Sequence, residues 1–284
     1  MFSMAIVTSA LELGFIYALV ALALYLSFRV LNIADMTTDG AFTLGCAVSA
    51  TVALTGHPYL ALPAAMLAGA CAGVVTALLQ TKWGVPSILA GIITNTGLYT
   101  VNLAVMGFSS NVNMLRSETI FTPFPGMKII PAVIITLLVS VLLVVFLSTR
   151  LGLSIRATGD NPDMVRASSI NTGLTITIGL AISNSITALS GAVLAQYQKT
   201  ADISLGTGMV IIGLASLIIG ETVFRRGKLW VKVLGAVVGC ILYRFIIALA
   251  LRLDLPSECL KLVSAVIVAV AIALPTIRKN KGGK

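Results

Sequence analysis

The chain has 284 residues, 58% of them hydrophobic and only 10% charged. A soluble domain carries about 25% charged residues, so no soluble fold could cover this much apolar surface and lipid must do so. The net charge of +9 does not mark a nucleic-acid partner, because the basic residues gather at the ends of apolar segments, as the positive-inside rule expects.

A membrane span needs about 20 apolar residues. Nine segments approach that length, at about 5–28, 38–55, 58–81, 85–107, 129–149, 172–197, 206–223, 230–251 and 260–277. The expected fold is all-α: a polytopic α-helical membrane protein of about 8–10 segments, some short or re-entrant, forming one transmembrane domain over 1–284. Segment one has no Lys or Arg before Arg29, so it lacks the basic front of a signal peptide and reads as a retained span. Glu12 lies near its outer end as an interfacial carboxylate. Asn32-Ile-Ala-Asp35-Met-Thr-Thr-Asp39-Gly40 then interrupts the apolar pattern, and helix does not continue through it. The short segment two, from Gly40 to Leu54, suits a re-entrant or broken element better than a span.

His57, the only histidine, sits in an outer turn without ligand partners nearby. Segment three is rich in Ala and Gly, which lets helices approach closely in lipid. Lys82-Trp83 marks the inner interface. Segment four carries Thr94, Asn95, Thr96, Tyr99, Thr100 and Asn102, and segment six carries Ser183, Asn184, Ser185 and Thr187. Polar groups at that depth either bond helix to helix or line a pathway. Cys46, Cys71, Cys240 and Cys259 form no CxxC pair and read as packing residues.

Two stretches correspond. Ala34-Asp35 precedes Gly40 and Gly45, and Ala201-Asp202 precedes Gly208 and Gly213, one on the inner side and one on the outer side. Paired short, Gly-interrupted segments of this kind point to inverted repeats around a central pathway. Segment eight holds Arg244 within the span; it either pairs in the interior, with Glu12 or Asp39 as candidates, or snorkels outward. Segment nine ends at Pro275, and the basic tail 278–284 anchors inside.

With the N-terminus outside and the C-terminus inside, the inner connections carry thirteen Lys and Arg residues and the outer ones five. This places the polar stretch 150–171 in the cytoplasm. Within it Asn161 is an N-cap, Pro162 has φ fixed for the first helical position, and Asp163 complements the helix dipole. A helix over roughly 162–169 follows, with Met164, Val165, Ala167 and Ile170 as a small apolar face that can dock into a partner.

The string Arg156-Ala-x-Gly159-x-Asn161, with Ala167 and Ile170-Asn171-Thr172 after it, resembles the coupling loop of one permease family. These are the membrane subunits of ATP-binding-cassette importers for branched-chain amino acids and ribose. Leu31-Asn32-Ile33-Ala34-Asp35, Gly40 and Gly45 resemble the same family; Ser169 departs from it, standing where the family usually has Gly. The resemblance implies that Arg156, Gly159, Asp160, Asn161, Pro162, Asp163, Arg166, Ala167, Ile170 and Asn171 receive the stroke of ATPase subunits. It also implies a pathway lined by some of Asp39, Asn95, Thr96, Asn102, Asn184, Ser185 and Arg244.

The chain has no Gly-x-x-x-x-Gly-Lys-Ser/Thr phosphate loop, metal cluster or catalytic set. By the resemblance it is a transporter subunit with no cofactor of its own, and ATP and Mg belong to the partner ATPases. The other implied partners are a second permease copy, identical or related, an extracellular solute-binding protein and membrane lipid. The expected cargo is a small polar solute, with amino acids first and sugars or nucleosides next. The expected place is the cytoplasmic membrane of a prokaryote. The alternative is an ion-coupled secondary transporter in which Asp39 or Glu12 carries the proton or sodium.

Overall fold

The apolar segments fold into helices of two lengths. The computed structural model describes residues 4–124, 126–224 and 227–252, with Val266 and Ala269. Apart from those two residues, the ninth segment lies outside the described residues, as do Cys259, Arg225, Arg226 and the tail. Among the described residues, six helical stretches are long and apolar enough to cross a membrane. They are α1 (Met4–Leu24) with a π-helical extension (Tyr25–Val30), α3 (Ala61–Thr81), α4 (Ser87–Val105), α5 (Ile129–Ser148), α8 (Thr172–Gln198) and α10 (Leu229–Arg252). Two helices are shorter, α2 (Thr38–Leu54) and α9 (Met209–Val223). A polytopic α-helical architecture is therefore what the chain builds.

α8 is the axis. Every side chain from 186 to 196 along it is buried. Neighbours approach it closely because their contact points are glycines. Gly45 of α2 meets the Ala188 carbonyl, Gly69 and Gly73 of α3 meet the Asn184 and Leu180 carbonyls, and Gly191 of α8 meets the Phe42 carbonyl. Buried hydroxyls add bonds between helices: Ser183 to the Ala23 carbonyl at 2.8 Å, Ser190 to Ile16 at 2.7 Å and Ser49 to Ala192 at 3.1 Å. Each such bond contributes about 0.6 kcal/mol in a membrane protein.

These contacts also fix direction. α1 runs antiparallel to α8, α2 runs parallel to it, and α3 antiparallel. On the other side α9 runs parallel to α1, with Gly213 against Val20 and Leu24 and Glu221 paired with Arg29 further on, and α10 runs back along α9 through Gly220 on Gly235 and Gly239 on Ser216. The triplet α1–α2–α3 is thus repeated upside down as α8–α9–α10, the inverted arrangement that the paired glycine segments suggest. Each triplet has one short helix, preceded by a non-helical lead-in at 31–37 or 199–208.

One end of the bundle carries two short helices, α6 (Arg150–Asp160) and α7 (Pro162–Ala167). The other carries an antiparallel pair of strands, β1 (Asn111–Asn113) and β2 (Thr200–Asp202), with Val112 opposite Ala201. Beside β2, the Ser204 hydroxyl and N–H donate to Asp202 and hold its carboxyl below the ordinary range. Exposed Trp83 and Trp230 lie towards the α7 end and exposed Tyr59 and Phe108 towards the sheet end, where aromatic rings mark the two membrane interfaces. Between them α5 turns Ile134, Leu138, Leu142 and Val145 outward, a face suited to lipid.

α6 and the two strands have no counterpart in the segments expected from periodicity, and the first segment, expected to end near 28, runs on as π-helix to Val30. α7 is shorter than the predicted 162–169. Ser168 caps it, and Ser169 takes φ +61°, a left-handed conformation that excludes further helix.

Two stability predictions follow from this geometry. Gly45→Ala drives a methyl into the Ala188 backbone and should destabilise the detergent-solubilised protein by about 1–3 kcal/mol, whereas Gly97→Ala, with nothing within 4 Å, should be neutral or raise stability by up to about 1 kcal/mol. Ser169→Gly should stabilise by about 1 kcal/mol by relieving the left-handed serine. Thermal unfolding followed by fluorescence compares the variants; equal shifts for Gly45→Ala and Gly97→Ala would refute the close-packing account.

Candidate functional site

The two non-helical lead-ins end at one place in the interior. The first begins where the π-helical turns close, with Leu31 N–H on the Leu26 carbonyl and Ile33 N–H on Ser27. Asp35 then folds the chain. Its carboxylate accepts from the Thr37 N–H at 2.9 Å and from Asn184 Nδ2 at 2.7 Å, and its carbonyl accepts from the Thr38 hydroxyl at 3.3 Å. The Thr37 and Thr76 hydroxyls bond at 2.8 Å. Asn184 lies next to the midpoint of the 27-residue α8, which at about 1.5 Å per residue is about 40 Å long. Asp35, buried against it, therefore lies about halfway along the bundle, and α2 fills only the half towards the sheet end.

The second lead-in descends from β2 and starts α9 at the same depth. Gly208 takes φ +86°, a conformation open to glycine at little cost. Asp39, in the first turn of α2, reaches across and accepts from the Gly208 N–H and the Val210 N–H, both at 2.9 Å. The Gly206 N–H donates to the Thr43 hydroxyl at 3.1 Å, and a side chain at Gly206 would strike the Asp39 carbonyl. Each helix start carries about half a positive charge and unpaired N–H groups. One carboxylate thus serves two helix ends that would otherwise repel.

α4 closes one side of this junction. Asn102 Nδ2 donates to the Gly40 carbonyl at 3.2 Å, and Gly91 packs on Met36. The far side of α4 is open: Thr96, Gly97, Tyr99 and Thr100 are exposed, Asn95 is half-buried, and Met36 is exposed beside them.

The second candidate site is the α6–α7 face. Thr149 alone separates α5 from α6, and its hydroxyl caps α6 through the Gly152 N–H at 3.2 Å. α6 buries Gly152, Ile155 and Thr158 and lies against the bundle, with Thr158 and Thr175 hydroxyls 2.9 Å apart and Gly159 on the Val30 carbonyl. The expected N-cap is present: Asn161 Oδ1 accepts from the N–H groups of Asp163 and Met164, both at 3.1 Å. Arg166 donates to the Thr172 hydroxyl at 3.1 Å and pairs with Asp163 at 3.3 Å, and Asn171 caps α8 through Leu174 N–H at 3.1 Å. Only Val165 of α7 is buried. Arg156, Asp160, Pro162, Asp163, Met164, Arg166 and Ala167 face outward, while Gly159 and Ile170 are half-buried.

The candidate pathway residues divide. Asp39, Asn95 and Asn102 gather around the start of α2, and Asn184 lies under it through Asp35. Thr96 is on the open face of α4, and Ser185 is half-buried on α8. Arg244 stands apart. Its guanidinium lies 3.7 Å over the Tyr17 ring, and neither expected acid reaches it, because Glu12 accepts from the Tyr197 hydroxyl at 2.7 Å and Asp39 is engaged by α9. An aromatic face can stabilise a cation in place of a carboxylate. Asp35 and Gly206 belong to this site as well; the matching Ala34-Asp35 and Ala201-Asp202 pairs are the signal for the two lead-ins, though not for Gly206 itself.

Residues 6–274 match the family described as branched-chain amino acid transport system / permease component. A tyrosine transport system permease protein of Clostridioides difficile is 33% identical over 94% of this chain and 90% of its own length. A ribose import permease protein of Haemophilus influenzae is 23% identical over 84% and 75%, and a D-allose transport system permease protein of Escherichia coli is 30% identical over 68% and 60%. No solved structure gives a significant match. Matched over nearly its whole length, with six span-length helices, the chain belongs to this family of multi-pass permease subunits of ATP-binding-cassette transporters.

Proposed function

We propose that this chain is the membrane subunit of an ATP-driven importer in the cytoplasmic membrane of a prokaryote. Its α6–α7 end faces the cytosol and its sheet end faces outward. The observation that carries the reading is α7: a capped helix held out from the bundle on α6, with Met164 63% exposed and charged neighbours around it. Such a helix suits docking into a partner groove. The partner that completes it is an ATPase pair, which holds the ATP and Mg.

A second permease copy, identical or related, covers the open side of α4, so that Thr96, Tyr99, Thr100 and Asn95 line a shared passage beside Met36. A solute-binding protein delivers cargo at the sheet end. The cargo is a small polar solute, and an amino acid is favoured because the relative named for tyrosine is the more similar at nearly full coverage. The sugar reading is supported by the ribose and allose relatives. An ion-coupled mechanism has less support, since Asp39 and Glu12 are both engaged in the packing.

The test is co-purification in detergent followed by reconstitution. The chain should bring down a nucleotide-hydrolysing subunit, and uptake into proteoliposomes should require ATP and survive an uncoupler. Met164→Asp should cut recovery of that subunit about tenfold, equivalent to about 1.4 kcal/mol of binding, with little change in the chain's own unfolding temperature. Uptake that needs no ATP and collapses with the uncoupler would refute the proposal. Ligand released from the co-purified binding protein, identified by mass spectrometry, decides between amino acid and sugar.

A further inference from the structure

The two lead-ins are tied to opposite ends of the bundle, and they are joined at the start of α2 and the start of α9. At one end, Gly159 of α6 rests on the Val30 carbonyl and the Leu31 backbone, and Gly179 of α8 rests on the Leu31 side chain. Val30 is the last residue before the first lead-in and Leu31 is its first. A shift of α6 therefore acts directly on 31–37. At the other end, the second lead-in is zipped to the loop between α4 and α5. Beyond the β1–β2 pairing, the Ile203 N–H donates to Ser110 at 3.0 Å, the Met114 N–H to Lys199 at 2.9 Å, and Asn111 Nδ2 to Asp202 at 3.4 Å. A load on that loop acts directly on 199–208.

From this geometry we infer that Asp39 is the positioning residue that couples the two faces of the transporter, holding the α2 and α9 starts together until one lead-in is displaced. The inference rests on the reading of the chain as an ATP-driven importer. α2 follows the first lead-in and α9 the second, so either displacement strains the two hydrogen bonds to Asp39, together with the Gly206 N–H bond to Thr43. A change at the outer loop is thereby felt at α6, and a change at α6 is felt at the outer loop. The coupling is reciprocal, as any equilibrium linkage must be. Release of the junction leaves the Gly208 and Val210 N–H groups without their acceptor and lets the two dipole ends separate, which opens the passage beside α4. Asp39 touches no cargo in this scheme; the carboxylate acts on helix ends alone.

The experiment uses the assembled complex, with its ATPase and solute-binding protein, in nanodiscs. Asp39→Asn keeps the shape and one acceptor oxygen but loses the second. It should assemble and hydrolyse ATP at the wild-type basal rate, while stimulation of hydrolysis by loaded binding protein falls about tenfold, and uptake falls with it. A purely structural role would instead lower assembly and basal rate together. A variant that keeps stimulation within about twofold of wild type overturns the proposal. If Asp39→Asn does not assemble, Thr207→Cys in the otherwise native chain decides. Its labelling by a membrane-impermeant maleimide should change about fivefold between nucleotide-free and ATP-bound complex, and an unchanged rate overturns the proposal. A wild-type chain that recovers no ATPase refutes the importer reading, which the wild-type control separates from failure of the junction.

Discussion

A single carboxylate holds together the two helices that do not span. Asp39 lies in the first turn of α2, where the dipole of its own helix favours it, and it accepts the first N–H groups of α9. Helix starts with unpaired donors are untenable in a lipid-filled interior unless protein supplies the acceptors. Placing two such starts face to face adds repulsion. The arrangement is stable because Asp39 answers both, Asp35 fixes the turn that precedes it, and Thr43 takes up the Gly206 N–H. Non-helical backbone at this depth is then supplied with acceptors by protein, the condition under which membrane proteins tolerate it.

The rest of the bundle serves to hold that junction at the right depth. α8 is buried along the half towards the sheet end and receives α2 and α3 through glycines that leave backbone against backbone. Close approach makes the packing intolerant of even a methyl group at Gly45, yet the open face of α4 admits one at Gly97. The contrast separates the parts of the chain devoted to internal packing from the exposed side of α4. The inverted repeat has the same logic. α1 and α10 present to α9 what α8 and α3 present to α2, so the two half-length helices are supported alike from opposite directions.

Much of this architecture is legible in the residues. Apolar runs locate the spans, Asn161-Pro162-Asp163 locates the start of α7, and the polar string Asn32–Asp39 marks where helix fails. The Gly-interrupted pair at 40–45 and 208–213 carries the repeat. Other features are set by contacts between distant positions. Nothing local says that Asp39 will bond to residues 208 and 210, or that Arg244 will rest on Tyr17 and not on an acid. The placement of the two short helices on opposite faces, inferred from charge, missed that both begin at one depth. α6 was illegible because Arg150, Arg156 and Asp160 give it the look of a loop; its helix is secured by the Thr149 cap and by packing of Ile155 and Thr158. The serine at 169 is informative in retrospect, since its left-handed φ gives a physical reason for the glycine of the family pattern.

The account stands on a junction at the middle of the bundle that is closed at rest and yields during the stroke. Amide hydrogen exchange of the peptide 204–211, measured by mass spectrometry on the complex in nanodiscs, reads that junction directly. The expected result is strong protection without nucleotide, although more than half of this peptide is not helical, and loss of protection when the partner ATPase binds ATP. Fast exchange in the resting complex, or protection indifferent to ATP, would contradict it.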